Sequence, residues 1–189
     1  MNEIQEKDIV AFKEETTSFV KHIIDDQGEL FPFIIILVDG HPDVSSVGKK
    51  AALVCPIPGS ALENDNTKDA FINNAMPILA RKIKSQNLIP LYLCFGYEAW
   101  LRQSKLEDGK KTISENWKDL PKTECILLAY EGPEKSQLDV YDILRDGLMV
   151  REDNKLVDGI ILKKREDSSA DKSNYTGRFA NLFSRFFMD

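Results

Sequence analysis

LIPLYLCFGYEAWLRQS, Leu88 to Ser104, is the longest strand-like run in the chain and decides how the rest is read. Strand side chains alternate, so Leu91, Leu93, Phe95, Tyr97, Ala99 and Leu101 are expected on one face. Tyr92, Cys94, Gly96, Glu98, Trp100 and Arg102 are expected on the other. The first half is apolar on both faces, the pattern of a central strand covered on each side. The second half turns amphipathic. The strand is therefore expected to start buried and to emerge.

Upstream, Asn64-Asp65-Asn66-Thr67 offers helix caps, and Phe71, Ala75, Leu79 and Ile83 follow at intervals of four. Pro77 falls inside that helical pattern, where it removes a hydrogen bond and predicts a kink near residues 73–76. Further upstream, Ile9, Phe12, Thr16, Phe19, Val20, Ile23 and Ile24 form one apolar stripe on a helix over residues 3–27, closed by Gly28. Strands are predicted at 33–38 and 50–56, close enough to pair as a hairpin with a long connection. Downstream, residues 105–122 read as a long polar loop holding Trp117. Strands follow at 123–131, at 138–150 with a break at Asp146-Gly147, and at 156–164 after a hairpin through 152–154.

The order α-β-β-α-β-β-β-β-α predicts an α+β fold with an antiparallel or mixed sheet of about five to six strands. The helices are expected mainly on one face. Residues 1–164 read as a single domain. Residues 165–189 read as a polar linker and an amphipathic aromatic helix carrying Phe179, Leu182, Phe183 and Phe186.

Composition narrows the function classes. Hydrophobic residues at 42% and charged residues at 30% suit a packed core. Of the net charge of −6, residues 1–30 supply −5 through eight acidic residues against three Lys. No basic footprint for nucleic acid is left over. The longest apolar run, Leu88 to Tyr97, is too short to span a bilayer, and MNEIQEKD lacks a secretory pattern. Cys55, Cys94 and Cys125 are widely spaced within apolar strands and read as buried free thiols of a cytoplasmic protein. No GxGxxG, GxxxxGK[ST], HExxH, GxSxG or EF-hand loop occurs, and neither cofactor nor metal is predicted.

Three stretches carry candidate chemistry. Asp39-Gly40-His41-Pro42-Asp43 sets two carboxylates and an imidazole at a strand end, although the same composition describes an ordinary turn. Glu98, Trp100 and Arg102 project in parallel next to Tyr97. They read as a ligand-binding row or as surface charges answered across the strand, with Trp100 packed under a helix. The aromatic helix at the end docks on its own sheet, swaps into a partner, or lies on a membrane surface. His22 reads as a surface or boundary side chain.

Ala51-Ala52-Leu53-Val54-Cys55-Pro56-Ile57-Pro58, the helix after Asn66, Glu98-Ala99-Trp100, the strand Glu124 to Glu131 and Gly177-Arg178-Phe179-Ala180-Asn181-Leu182-Phe183 together resemble a family of small uncharacterised bacterial proteins. Those proteins carry an E-A-W strand motif. The resemblance implies the same α+β order and a bacterial cytoplasmic setting, and it assigns no activity.

The expected function is that of a small binding or protein-interaction domain without catalysis, partnered by a second copy of itself or by another protein. A small ligand held at Tyr97, Glu98 and Trp100 is a further option. The alternative is a metal- or carboxylate-dependent hydrolase using Asp39, His41 and Asp43 with Glu98, which requires those groups to converge.

Overall fold

A computed structural model of the chain describes residues 5–40, 50–102, 122–133, 135–150, 156–165 and 179–188; for 102, 146–150 and 156–159 it describes the backbone alone. The expected Trp117 loop, the hairpin at 152–154 and nearly all of the predicted polar linker lie outside the described residues.

Strand β1 (Phe33–Asp39) dictates the layering, because Phe33 to Val38 are all buried, on both of its faces. It lies between β2 (Ala51–Pro56) and β3 (Ile89–Arg102). Beyond β3 come β4 (Lys122–Glu131), β5 (Ser136–Val150) and β6 (Leu156–Lys164). All six strands form one antiparallel sheet in the order β2-β1-β3-β4-β5-β6. The fold is α+β, with elements in the expected chain order.

Helix α1 (Glu6–Gln27) covers one face, burying Phe12, Thr16, Val20 and Ile24 against Phe33, Ile35, Cys94, Ile126 and Tyr141. Gly28 ends it in the left-handed conformation, φ 78°, its N–H bonding the carbonyl of Ile24 at 2.8 Å. The opposite face is covered by a π-helical turn (Phe71–Ala75), α3 (Met76–Ser85) and α4 (Leu182–Phe187), with α2 (Asp65–Ala70) leading into the turn without burying a residue. The helices other than α1 thus gather on one face, as expected, and α1 alone closes the other. A strand apolar on both sides needs a layer on each, and the run FIIILV already carried that demand.

Two backbone irregularities set the details. Pro77 stands in the first turn of α3, and Met76 N–H reaches back five residues to the carbonyl of Phe71. The expected kink is therefore a π-turn that absorbs the missing proline donor. The β1–β3 register shifts at Leu37/Val38, where Val38 pairs with Pro90 and Leu37 with Tyr92. Leu91 is the extra residue, and both Leu91 and Tyr92 face α1. Leu91 thus leaves the face it was expected to share with Leu93 and Phe95. The predicted break in β5 is a second register shift, between Arg145 and Leu148.

Candidate functional site

As expected, β3 starts buried and emerges: Leu91 to Gly96 are buried, Tyr97 to Ala99 half-buried, and Trp100 is 60% exposed. Strand alternation sets Tyr97 and the row behind it on opposite faces, as expected. Tyr97 packs with Phe95 on the α4 side, and Glu98 and Trp100 face the α1 side. Trp100, opposite Glu124 in the ladder, is not covered by a helix. Arg102 closes the strand opposite Lys122, its side chain outside the described atoms.

Glu98 is committed to the end of α1. Its Oε2 accepts the backbone N–H of Leu30 at 3.0 Å. Beside it, Glu124 is clamped by Arg145 through Nε at 3.0 Å and Nη2 at 2.8 Å, and Arg145 Nη1 donates to the carbonyl of Gly28 at 3.2 Å. Burial raises the Glu98 carboxyl above its ordinary value, and the adjacent Glu124 raises it further. The Arg145 guanidinium lowers Glu124. Burial and Glu124 thus favour the protonated form of Glu98, while Arg145 favours the ionised form of Glu124. These groups hold the turn after α1 and leave Glu98 engaged with the fold.

The second predicted set does not assemble around Glu98. Asp39 pairs with Ile89 at the far end of β3. Nine residues of strand separate Ile89 from Glu98, about 30 Å at the usual rise. His41 and Asp43 lie outside the described residues. His22 is exposed on α1, as expected. The three cysteines are free thiols, Cys94 and Cys125 buried and Cys55 half-buried. Among the described residues no helix is long and apolar enough to cross a membrane.

Where β3 emerges, the structure opens a cleft of about 470 Å³ lined by Pro32, Leu62, Asp65, Lys68, Tyr97, Glu98 and Phe179. Its aromatic wall is built in layers. Phe179 stacks on Phe95 with centroids 4.6 Å apart, and Phe95 meets Tyr97 at 5.0 Å. The α2 N-terminus, capped by the Asn64 side chain accepting from Thr67 N–H at 3.0 Å, carries Asp65 and Lys68 to the rim. An aromatic wall beside two opposite charges can seat an apolar group and orient a polar one. Tyr97 and Glu98 were legible as candidates. Phe179 was legible as part of the terminal aromatic stripe; Pro32, Leu62, Asp65 and Lys68 were not, because they come from segments brought to β3 only by the tertiary fold.

Two buried carboxylates also escaped the sequence. Asp139, 2% exposed, accepts from Gln137 Nε2 and from Lys164 Nζ, both at 2.7 Å, and Lys13 Nζ donates to Gln137 Oε1 at 2.5 Å. This chain of bonds ties α1 to β5 and β6, and burial lowers the Lys13 amine. Glu131, 3% exposed, accepts the N–H of Asn181 at 2.7 Å and of Phe183 at 2.8 Å. The only local signal for either was an acidic residue at an otherwise apolar, inward-facing strand position.

No protein family, curated protein or solved structure matches this chain.

Proposed function

We propose that this chain is a binding protein without catalytic chemistry of its own, and that its ligand occupies the cleft at Tyr97. The carrying observation is the meeting of an aromatic wall, Tyr97 and Phe179, with the opposite charges of Asp65 and Lys68 in one open cleft. Such a surface matches a peptide-like ligand: an aromatic or aliphatic group against the wall, an amine toward Asp65 and a carboxylate toward Lys68. Saturation-transfer NMR with the free dipeptide Phe-Ala and with the blocked N-acetyl-phenylalaninamide tests it. The free dipeptide is expected to bind and the blocked one to bind more weakly. Tyr97→Ala is expected to weaken binding about 5- to 10-fold, on the scale of one lost aromatic contact. Absence of binding at millimolar dipeptide, or equal binding by Tyr97→Ala, refutes the proposal.

Self-association through β2 has separate support. β2 ends the sheet with the uncharged sequence AALVCP, and Val54 on it is 46% exposed. The other edge, β6, ends in Lys163, Lys164 and Arg165 and pairs with a strand whose register shifts, the usual guards against edge pairing. A second copy pairing antiparallel along β2 satisfies the open edge on a two-fold axis. Sedimentation equilibrium is expected to give a dimer that Val54→Lys converts to a monomer. A wild-type monomer at millimolar concentration rules this out.

A further inference from the structure

The C-terminal segment adds no strand to the sheet, yet Phe179 forms a wall of the cleft and Leu182 and Phe183 fill the core. Its six-residue helix is too short to persist undocked. Among the described residues, the sheet reaches the backbone of this segment through Glu131, the last residue of β4. Asn181 turns through the left-handed region, φ 60°, so that the amides on either side of Leu182 converge on the two oxygens of that carboxylate.

We infer that residues 179–188 form a strap latched by Glu131, and that latching builds the cleft while release dismantles it. The second half rests on the cleft being the binding site; the first half stands without it. Release removes Phe179 from the stack on Phe95 and opens the apolar face of β3 where Leu93 and Phe95 are now fully buried. Docking and ligand binding are then one linked equilibrium: a ligand that touches Phe179 favours the latched form, and the latched form favours the ligand. Glu131 acts through the segment it holds, and is a positioning residue.

Native-state hydrogen exchange on the full chain tests the strap in the wild type. The amides of Asn181 and Phe183 are expected to exchange through a local opening that low urea leaves unchanged. The amides of β3 and β4 are expected to exchange only through global unfolding. Glu131→Ala is expected to lower protection at Asn181 and Phe183 at least about tenfold and to expose Phe95 to hydroxyl-radical labelling, with β4–β5 protection retained. Glu131→Gln, which keeps one acceptor oxygen, is expected to fall between. Unchanged protection in Glu131→Ala, or strap and core amides exchanging together in the wild type, overturns the latch. Phe-Ala binding separates the two proposals. If the wild type binds and Glu131→Ala loses both strap protection and affinity, the coupling holds. If strap protection is lost and affinity is kept, the coupling is overturned. If the wild type does not bind, the cleft fails as the site, and the exchange data alone decide the latch.

Discussion

Gly96→Ala probes the closest approach in the sheet. Gly96 lies opposite Phe33 in the β1–β3 ladder, and the Phe33 ring folds over the bare glycine backbone. A Cβ at Gly96 would stand 2.2 Å from Phe33 Cζ, 2.6 Å from Cε1 and 2.8 Å from Cε2. Carbon atoms pack at about 3.5 Å, so the ring must withdraw by about 1.3 Å, the difference between 3.5 and 2.2. It has little room to do so: Phe33 is 0% exposed and meets Phe19 of α1 edge-on at 5.5 Å. Overpacking of this kind costs about 1–3 kcal/mol. Replacing a strand glycine returns about 0.5–1 kcal/mol by restricting the unfolded chain. The net expectation is a loss of up to about 2.5 kcal/mol, centred on about 1 kcal/mol, which is about 2–4 °C in Tm at the centre for a chain of this size. Urea denaturation of wild type, Gly96→Ala, Phe33→Leu and the double variant measures it. Shortening the ring should relieve the clash, so the double variant is expected to be more stable than the sum of the two single losses. Gly96→Ala more stable than wild type, or strict additivity, would refute the assignment of the cost to this contact.

Two further outcomes follow from Asp139 and Glu98. Asp139→Ala removes the acceptor of both Gln137 and Lys164 and is expected to cost about 2–4 kcal/mol, while Lys164→Ala, at a side chain 46% exposed, is expected to cost under about 1 kcal/mol. Equal losses in urea denaturation would contradict the picture of a bond network centred on Asp139. Glu98 has a carboxyl raised by burial in the folded state, so folding takes up a proton between the ordinary carboxylate value and the raised one. Its contribution to stability is full below the ordinary value and is lost as pH rises through the raised one. Glu98→Gln keeps an acceptor for Leu30 N–H and removes that titration, so its stability is expected to decline less than that of wild type across the window. Identical pH profiles would disprove the raised carboxyl.

Much of the fold follows from local pattern. The alternation in β3, the stripe on α1 with Gly28 behind it, the strand bounds and the break at Asp146-Gly147 all depend on residues close in sequence, where periodicity carries the information. The both-sided burial of β1 was equally present in FIIILV, and it is why α1 must close the face that the other helices leave open. Leu91 changed faces because a bulge depends on how two strands register, which neither strand reveals alone.

The site divides along the same line. Tyr97 and Glu98 stood out as candidates because the end of an amphipathic strand is visible in one short window. That Tyr97 shares a cleft with Phe179 and Lys68, that Glu98 is spent on Leu30 and Glu124, and that Asp39 lies a strand-length away were decided by tertiary structure. Side chains far apart in the chain come together only through the crossover from β2 to β3 and the return of the C-terminal segment. Glu131 is the sharpest case. Its sequence neighbours describe an ordinary strand end, and only the docking of residues about fifty positions later turns it into a buried acceptor for Asn181 and Phe183. Hydrophobic period is a property of a segment; hydrogen-bond partnership is a property of the packed whole.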